Sequence, residues 1–418
     1  MGCSTDAAQD RTGLDSERTG TAHNAATATA EEANLGFATR CIHHRAHFAD
    51  PAHSVVEPLY LSTAFDHSGS KIEGGHISNG YDYARCQTPT REILEDTVCS
   101  LEGGDSCVAF SSGMAAIACL FELFAPGDRI VTSWDLYGGT IRLFDAVSRK
   151  NGYTIDAVDT SDLAATRAAL ADGAACLFVE TPTNPTMAVS DIAALAEEAH
   201  KAGALLAVDN TFLTPYFQNP LKLGADVVVH SGTKYLNGHN DVLAGFLVSG
   251  RPDLSEKLRY LSMTTGATLS SFDAWMVTRG LKTLPLRMER HQSNALALAE
   301  WLREAPHVAY VNYPGLPDHP GHDLCLRQGT GFGGMITFGT DTPEAARHVL
   351  ASVKVAVFAE SLGGTETLIT YPAVQTHADL SEEERQAKGI DACMLRISVG
   401  LEDPDDLIAD FAQALEGC

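Results

Sequence analysis

The sequence predicts an α/β fold, with a mostly parallel sheet in a large domain and a smaller α/β domain toward the C-terminus. Three observations carry that expectation. Between about residues 93 and 231, short apolar runs alternate with segments of helical period. Those runs are almost continuously apolar, as strands covered on both faces of a parallel sheet must be. After about Gly250 a long helical stretch breaks the alternation, and two further apolar runs follow. At ~100–200 residues per domain, 418 residues make two domains, with room for a third.

Each segment has its own reason. Residues 1–36 hold no aromatic residue and, of Leu, Ile and Val, only Leu14 and Leu35. Such a segment buries too little apolar surface to offset its ordering entropy, so it is expected to be a disordered tail. Residues 37–86 are rich in Pro, Gly and His with little helical period, and read as an extended arm. The large domain is expected over 87–275 and the small one over 276–418. In the large domain CVAF is a strand leading into the helix GMAAIACLFELF. DRIVTS is a strand, TIRLFDAVSRKN a helix closed by Gly152, and YTIDAVD a strand. A helix opened by Ser161 or Asp162 ends at Gly173, and VSDIAALAEEAHKAG is a capped helix ending at Gly203. ACLFVE, ALLAVDN and ADVVVHS complete the strands. In the small domain GGMITFG and ACMLRISVG are strands, after the helical stretch WMVTRGLKTLPLRMERHQSNALALAEWLREA.

Composition excludes several functions. The chain carries 29 basic and 54 acidic residues, a net charge of −25, which repels phosphate backbones and argues against nucleic-acid binding. An anionic ligand must then be held by a few well-placed cations. No run approaches the ~20 apolar residues of a membrane span, and the N-terminus lacks the apolar core of a secretory signal. Asp6 stands where a myristoylation motif needs Ser or Thr. The ten cysteines form no C-x-x-C and no paired spacing, so they read as reduced core hydrophobes of a cytoplasmic protein rather than metal ligands.

In parallel sheets ligands bind beyond the carboxyl ends of the strands, so the residues after each run locate the site. CVAF is followed by Ser111-Ser112-Gly113-Met114, a helix start suited to a phosphate, although Ser112 as a plain N-cap explains it equally. ACLFVE is followed by Thr181-Pro182-Thr183-Asn184-Pro185, a rigid turn. Asp209 ends one run, and Ser231-Gly232-Thr233-Lys234 follows another. An Asp and a Lys at neighbouring strand ends suit a structural ion pair. They equally suit the acid that pairs a pyridinium nitrogen and the lysine that forms a Schiff base with pyridoxal phosphate (PLP).

Six ordered motifs decide between these readings. VVVHSGTKYLNGH, DNTF, FSSGMAAI, LYGGT, ETPTNP and YARCQTPTREILE together resemble the PLP-dependent trans-sulfuration enzymes of Cys and Met metabolism, colinearly from Phe37 to Leu415. The resemblance implies the aspartate aminotransferase-like fold of type I and PLP as cofactor. It makes Lys234 the Schiff-base lysine and later the general base, Asp209 the partner of the pyridine nitrogen, and Tyr137 the aromatic stacked on the ring, which assists proton transfer. Asn184 would bond the ring hydroxyl oxygen, and Gly113, Met114, Ser231 and Thr233 the phosphate. Tyr83 and Arg85 would reach the phosphate of a neighbouring subunit, giving a homotetramer built from dimers with shared active sites. Ser361 and Arg396 would bind the substrate α-carboxylate. Arg142 and Glu360 would meet the distal end of a small amino-acid substrate.

Three positions depart from the family pattern: Ala84 where Ser is common, Thr88 where Asn is common, and Gly139 where methionine γ-lyases carry Cys. Glu360-Ser361-Leu362-Gly363-Gly364 resembles members that handle cystathionine, and Cys86 replaces an Arg of some γ-synthases. The resemblance therefore implies C–S cleavage of cystathionine to a thiol, ammonia and a 2-oxo acid. The alternatives are cystathionine γ-synthase, then β-lyase, with methionine γ-lyase behind them. A transaminase or aldolase would lack the Tyr-x-Arg arm, and a non-catalytic regulator would have lost Lys234, Asp209 or Arg396.

Overall fold

The computed structural model describes residues 35–43, 50, 52–68, 72–73, 76–77, 80–375 and 381–418. The expected tail, except for Leu35 and Gly36, lies outside them. Ahead of the large sheet stand α1 (Phe37–His43), a two-stranded ribbon of β1 (Ile72–Glu73) and β2 (His76–Ile77), and α2 (Pro89–Glu102). Helix α1 departs from the extended arm expected there. It buries Cys41 and docks Arg40 on the Ser100 carbonyl at the end of α2.

Seven strands follow: β3 (Ser106–Phe110), β4 (Arg129–Ser133), β5 (Thr154–Val158), β6 (Cys176–Glu180), β7 (Leu205–Asp209), β8 (Val227–Ser231) and β9 (Gly245–Ser249). Their order is β3-β9-β8-β7-β6-β4-β5. All neighbours run parallel except β9, which is wedged antiparallel between β8 and β3. The ends of β3, β6, β7 and β8 therefore open on one edge. Alternation along the strands shows both faces buried: Cys176 and Phe178 join one core, while Leu177 and Val179 join another.

The intervening helices are α3 (Gly113–Phe121), α4 (Gly138–Asn151), α5 (Leu163–Leu170), α6 (Ile192–Lys201), α7 (Thr214–Phe217) and α8 (Pro252–Thr265). Their limits follow local chemistry. Ser112, Asp162 and Asp191 cap α3, α5 and α6 through their side chains, and Gly152 closes α4 at φ 76°.

The long helical stretch is two helices, α9 (Ser271–Leu281) and α10 (Leu284–Glu304), broken at Lys282-Thr283. Helix α10 spans both halves of the molecule: Leu284 and Met288 pack in the large core, Ala295 and Leu298 in the small one. The small sheet joins β10 (Val308–Asn312), β11 (Met335–Thr340), β12 (Val357–Phe358), β13 (Leu368–Thr370) and β14 (Met394–Ser398) in the order β10-β11-β14-β13-β12. Leu395 and Ile397 of β14 face its hydrophobic core, which leaves Arg396 on the other face. That polar face docks on the turn after β6, where Thr337 donates to the Pro185 carbonyl at 2.6 Å.

Candidate active site

Four strand ends and one loop build the site. At the first, Phe110 of β3 and Ser231 of β8 both pair with Gly245 of β9. A Cβ at Gly245 would stand 2.1 Å from the Ser112 carbonyl oxygen and 2.7 Å from the Gly113 nitrogen. Only glycine lets the start of α3 fold this close to β9. Ser112 accepts the Ala115 amide, so the amides of Gly113 and Met114 have no partner among the described residues. They and the Ser231 hydroxyl form a cradle of donors at a helix N-terminus, which fits the phosphate of PLP. The Thr233 hydroxyl is already engaged, donating to the Ala244 carbonyl and accepting its amide, so it must turn away from β9 to join them.

At the end of β7, Asp209 accepts the Thr211 amide and hydroxyl through Oδ1 at 3.0 and 2.6 Å. Its Oδ2 makes no hydrogen bond among the described residues, which suits a protonated ring nitrogen. Burial raises its pKa, against the pull of the two Thr211 bonds. Opposite Asp209 in the register, Glu180 ends β6. Asn184 lies beyond it in a turn with cis bonds at Thr181–Pro182 and Asn184–Pro185. Its carbonyl oxygen is taken by Arg396 Nη1 at 2.8 Å, so what it still offers is the amide donor.

Lys234 stands one turn past β8, with Nζ donating to Ser361 Oγ at 2.8 Å. Burial first, then the Arg396 charge, lowers its pKa to about 8. A lysine so tuned is neutral often enough to act as nucleophile and base. Ser361 holds φ 126°, a left-handed backbone that a side chain rarely adopts, and its carbonyl accepts Arg396 Nη2 at 3.0 Å. Arg396 also reaches Thr370 Oγ1 at 3.1 Å. Its Nε is a buried donor without a partner among the described residues. A guanidinium held by three hydrogen bonds, with its Nε donor still unpartnered, fits a carboxylate. Glu360, next to Ser361, raises the pKa of both Lys234 and Arg396 by its charge.

Tyr137 opens α4, half-exposed, with its ring where a Cβ on Gly139 would stand 2.4 Å from it and 3.1 Å from Met114 Sδ. Arg142 lies exposed further along α4. Tyr83 and Arg85 stay apart from these groups; Arg85 donates to the Met263 carbonyl at 2.6 Å and packs over the Tyr83 ring. The sequence reading missed Glu180, Thr211 and Thr370. Glu180 alone had a signal, as a polar residue closing an apolar run. Among the described residues no group of three or more His, Cys, Asp or Glu is gathered to hold a metal ion, and no helix is long and apolar enough to cross a membrane.

Comparison with known proteins agrees with this geometry. Residues 38–416 match the family described as Cys/Met metabolism PLP-dependent enzyme. Cystathionine gamma-lyase of Bacillus subtilis is 47% identical over 87% of this chain and 94% of its own. Cystathionine gamma-synthase of Haemophilus influenzae is also 47% identical, over 86% and 92%. The crystal structure of cystathionine gamma synthase from Xanthomonas oryzae pv. oryzae in complex with aminoacrylate and cysteine superimposes with a TM-score of 0.88 at 39% identity, covering 91% of this chain and 98% of that one. The chain belongs to this PLP-dependent family, has its type I fold, and catalyses a trans-sulfuration or C–S lyase type of reaction.

Proposed function

From that membership we propose that the chain is a cystathionine γ-lyase: it cleaves the Cγ–S bond of cystathionine, taking up water and releasing cysteine, 2-oxobutanoate and ammonia. The unpartnered Arg396 Nε beside the Lys234–Ser361 pair supports an amino-acid substrate, and the Glu360-Ser361-Leu362-Gly363-Gly364 stretch, similar to members that handle cystathionine, supports this one. When bound, PLP supplies an aldehyde that captures an amino group and a conjugated ring that takes up the electron pair left at Cα. Lys234 and Asp209 would hold its aldehyde carbon and ring nitrogen, Asn184 its ring hydroxyl, and Gly113, Met114, Ser231 and Thr233 its phosphate.

The chain's own groups do the rest. Arg396 pairs with the substrate α-carboxylate and fixes its angle. Lys234, with a pKa lowered to about 8, takes the proton from Cα while Ser361 orients its amine. Once it has given that proton up, Lys234 takes one from Cβ, whose electron pair expels the sulfur from Cγ. The Tyr137 phenol gives a proton to the departing sulfur. Glu360 meets the distal ammonium and Arg142 the distal carboxylate, which distinguishes cystathionine from shorter thiols.

Tyr83 and Arg85 complete the phosphate site of a second copy, in a tetramer built from dimers. Supporting this, Tyr83 is 48% exposed, and Val55 and Leu61 of the same arm are 85% and 70% exposed. The nine described cysteines are all free, in keeping with a cytosolic protein.

Purified enzyme given cystathionine should release 2-oxobutanoate. Pyruvate as the only keto acid would reassign it to β cleavage. Formation of cystathionine from O-acyl-homoserine and cysteine, faster than its breakdown, would make it a synthase.

A further inference from the structure

The start of α4 raises a question that the family reading leaves open. Its N-cap is Tyr137, whose side chain cannot accept a hydrogen bond from the helix and makes no capping bond. Helices α2, α3, α5 and α6 are capped by Thr88, Ser112, Asp162 and Asp191. In α4 the role passes to a carboxyl group from another element: the Tyr137 amide donates to Glu180 Oε2 at 2.9 Å. The segment before it is held from the same side. Asp135 and Leu136 are buried, and Asp135 Oδ2 accepts the Thr186 amide at 3.3 Å and the Thr186 hydroxyl, in the turn following β6. The backbone from Asp135 to Tyr137 is thus fixed to the end of β6 at two points, and the half-exposed Tyr137 ring projects from that fixed segment.

We propose that Glu180 is a positioning residue for Tyr137: from the end of β6 its carboxyl group anchors the Tyr137 amide and so sets where the phenol stands. This rests on the reading of Tyr137 as a group beside the cofactor ring. Glu180 faces Asp209 across β6 and β7, so one side chain ties the ring-face residue to the strand beside the one that carries the acid for the ring nitrogen. Burial first, then the Asp209 charge, pushes Glu180 well above the usual carboxyl range. Its service to Tyr137 is that of an acceptor oxygen, which glutamine shares and alanine lacks.

The holoenzymes of Glu180→Gln, Glu180→Ala, Tyr137→Ala and the Tyr137→Ala/Glu180→Ala double variant test this. The readouts are the visible circular dichroism of the bound cofactor, its stoichiometry, and kcat and KM. Glu180→Gln should stay within about threefold of the parent in kcat, with an unchanged cofactor band. Glu180→Ala should lose about 10- to 100-fold in kcat, the scale of an ångström-level misplacement, with a weakened band, full cofactor and KM within about threefold. In the Tyr137→Ala background the Glu180→Ala change should cost nothing more, because its effect runs through Tyr137. Multiplying effects in the double variant, or equal losses in Glu180→Gln and Glu180→Ala, overturn the proposal. So does an unaltered Glu180→Ala enzyme beside an impaired Tyr137→Ala one. Should Tyr137→Ala leave both kcat and the band unchanged, the reading of Tyr137 itself fails. If Glu180→Ala yields no holoenzyme, Glu180→Met, which fills the space without accepting a bond, takes its place under the same outcomes.

Discussion

In the seven-stranded sheet the candidate groups stand on turns just past strand ends; in the five-stranded sheet Arg396 stands in the middle of β14. The contrast follows from topology. Parallel strands present all their carboxyl ends on one edge, so short turns there converge on one volume. The small sheet, antiparallel except for the short β12–β13 pair, has no such edge and reaches the same volume with a side chain from its face. The two sides also differ in charge. Glu180 lies buried and Asp209 half-buried on the large side, and both have raised pKa values. Arg396 is buried on the small side, and burial lowers its pKa to about 10. Each buried charge is costly alone and favourable toward the other side. A zwitterionic amino acid bridging them is the ligand that this arrangement suits.

Four experiments break or sharpen that contrast. Lys234→Ala, at the junction of the two sides, should abolish turnover and the visible absorption of covalently held cofactor while circular dichroism in the far ultraviolet stays unchanged; retained turnover would remove the site assignment altogether. Arg396→Ala takes the small side away and should lower kcat/KM by roughly 10- to 100-fold, the loss expected for a charged hydrogen bond to the substrate. Its cofactor content should stay full. Asp209→Asn, on the large side, should instead lower kcat with little change in KM. If the two variants show the same kinetic split, the division between a cofactor side and a substrate side is wrong.

The third experiment reads the field between the sides. Burial and the Arg396 charge lower the Lys234 pKa to about 8, and the Glu360 charge raises it. The neutral amine is the attacking form, so PLP attachment to apoenzyme should quicken with rising pH and level off above about pH 8 rather than ~10.4. Arg396→Gln should move that midpoint up and Glu360→Gln should move it down. The sign for stability is linked: folded Lys234 holds its proton less tightly than the unfolded chain, so its contribution is full above pH ~10.4 and lost as the pH falls toward 8. Stopped-flow absorbance against pH measures the first effect and apoenzyme melting the second. The smallest effect belongs to Arg142→Ala, which should raise KM for cystathionine about tenfold or less and leave KM for cysteine alone.

The large side was the more legible in sequence because its signals are local. A strand, a polar end and a cap follow each other within a few residues, so Gly113, Asp209, Ser231 and Lys234 were readable in order. Strand β9 escaped notice because GFLVS carries no sign of which strands it will separate. Helix α1 escaped because seven residues without a side-chain cap give little period to read. On the small side Arg396 came only from a motif, since an Arg within an apolar run does not announce which face it takes. The left-handed backbone of Ser361 is invisible in a residue that is not glycine. Glu180 was quoted within its motif yet given no role, because its partner is a backbone amide 43 positions away that only the folded chain supplies.

The wedged position of β9 has a consequence in time as well as in space. β3 is the first strand of the large sheet to be synthesised, yet its partner in that sheet is β9, starting at Gly245. At ~5–20 residues per second, a ribosome needs on the order of ten seconds to travel from one to the other. For that interval the apolar edge of β3 is unpaired and open to chaperones or to other chains. Strands β4 to β8 meet their own neighbours sooner. A nascent chain stopped just short of Gly245 would thus hold five aligned strands, while Ser112 and Gly113 still lacked the strand against which they fold. The phosphate cradle is thus the last part of the large sheet's edge to be assembled, because Gly245 closes it.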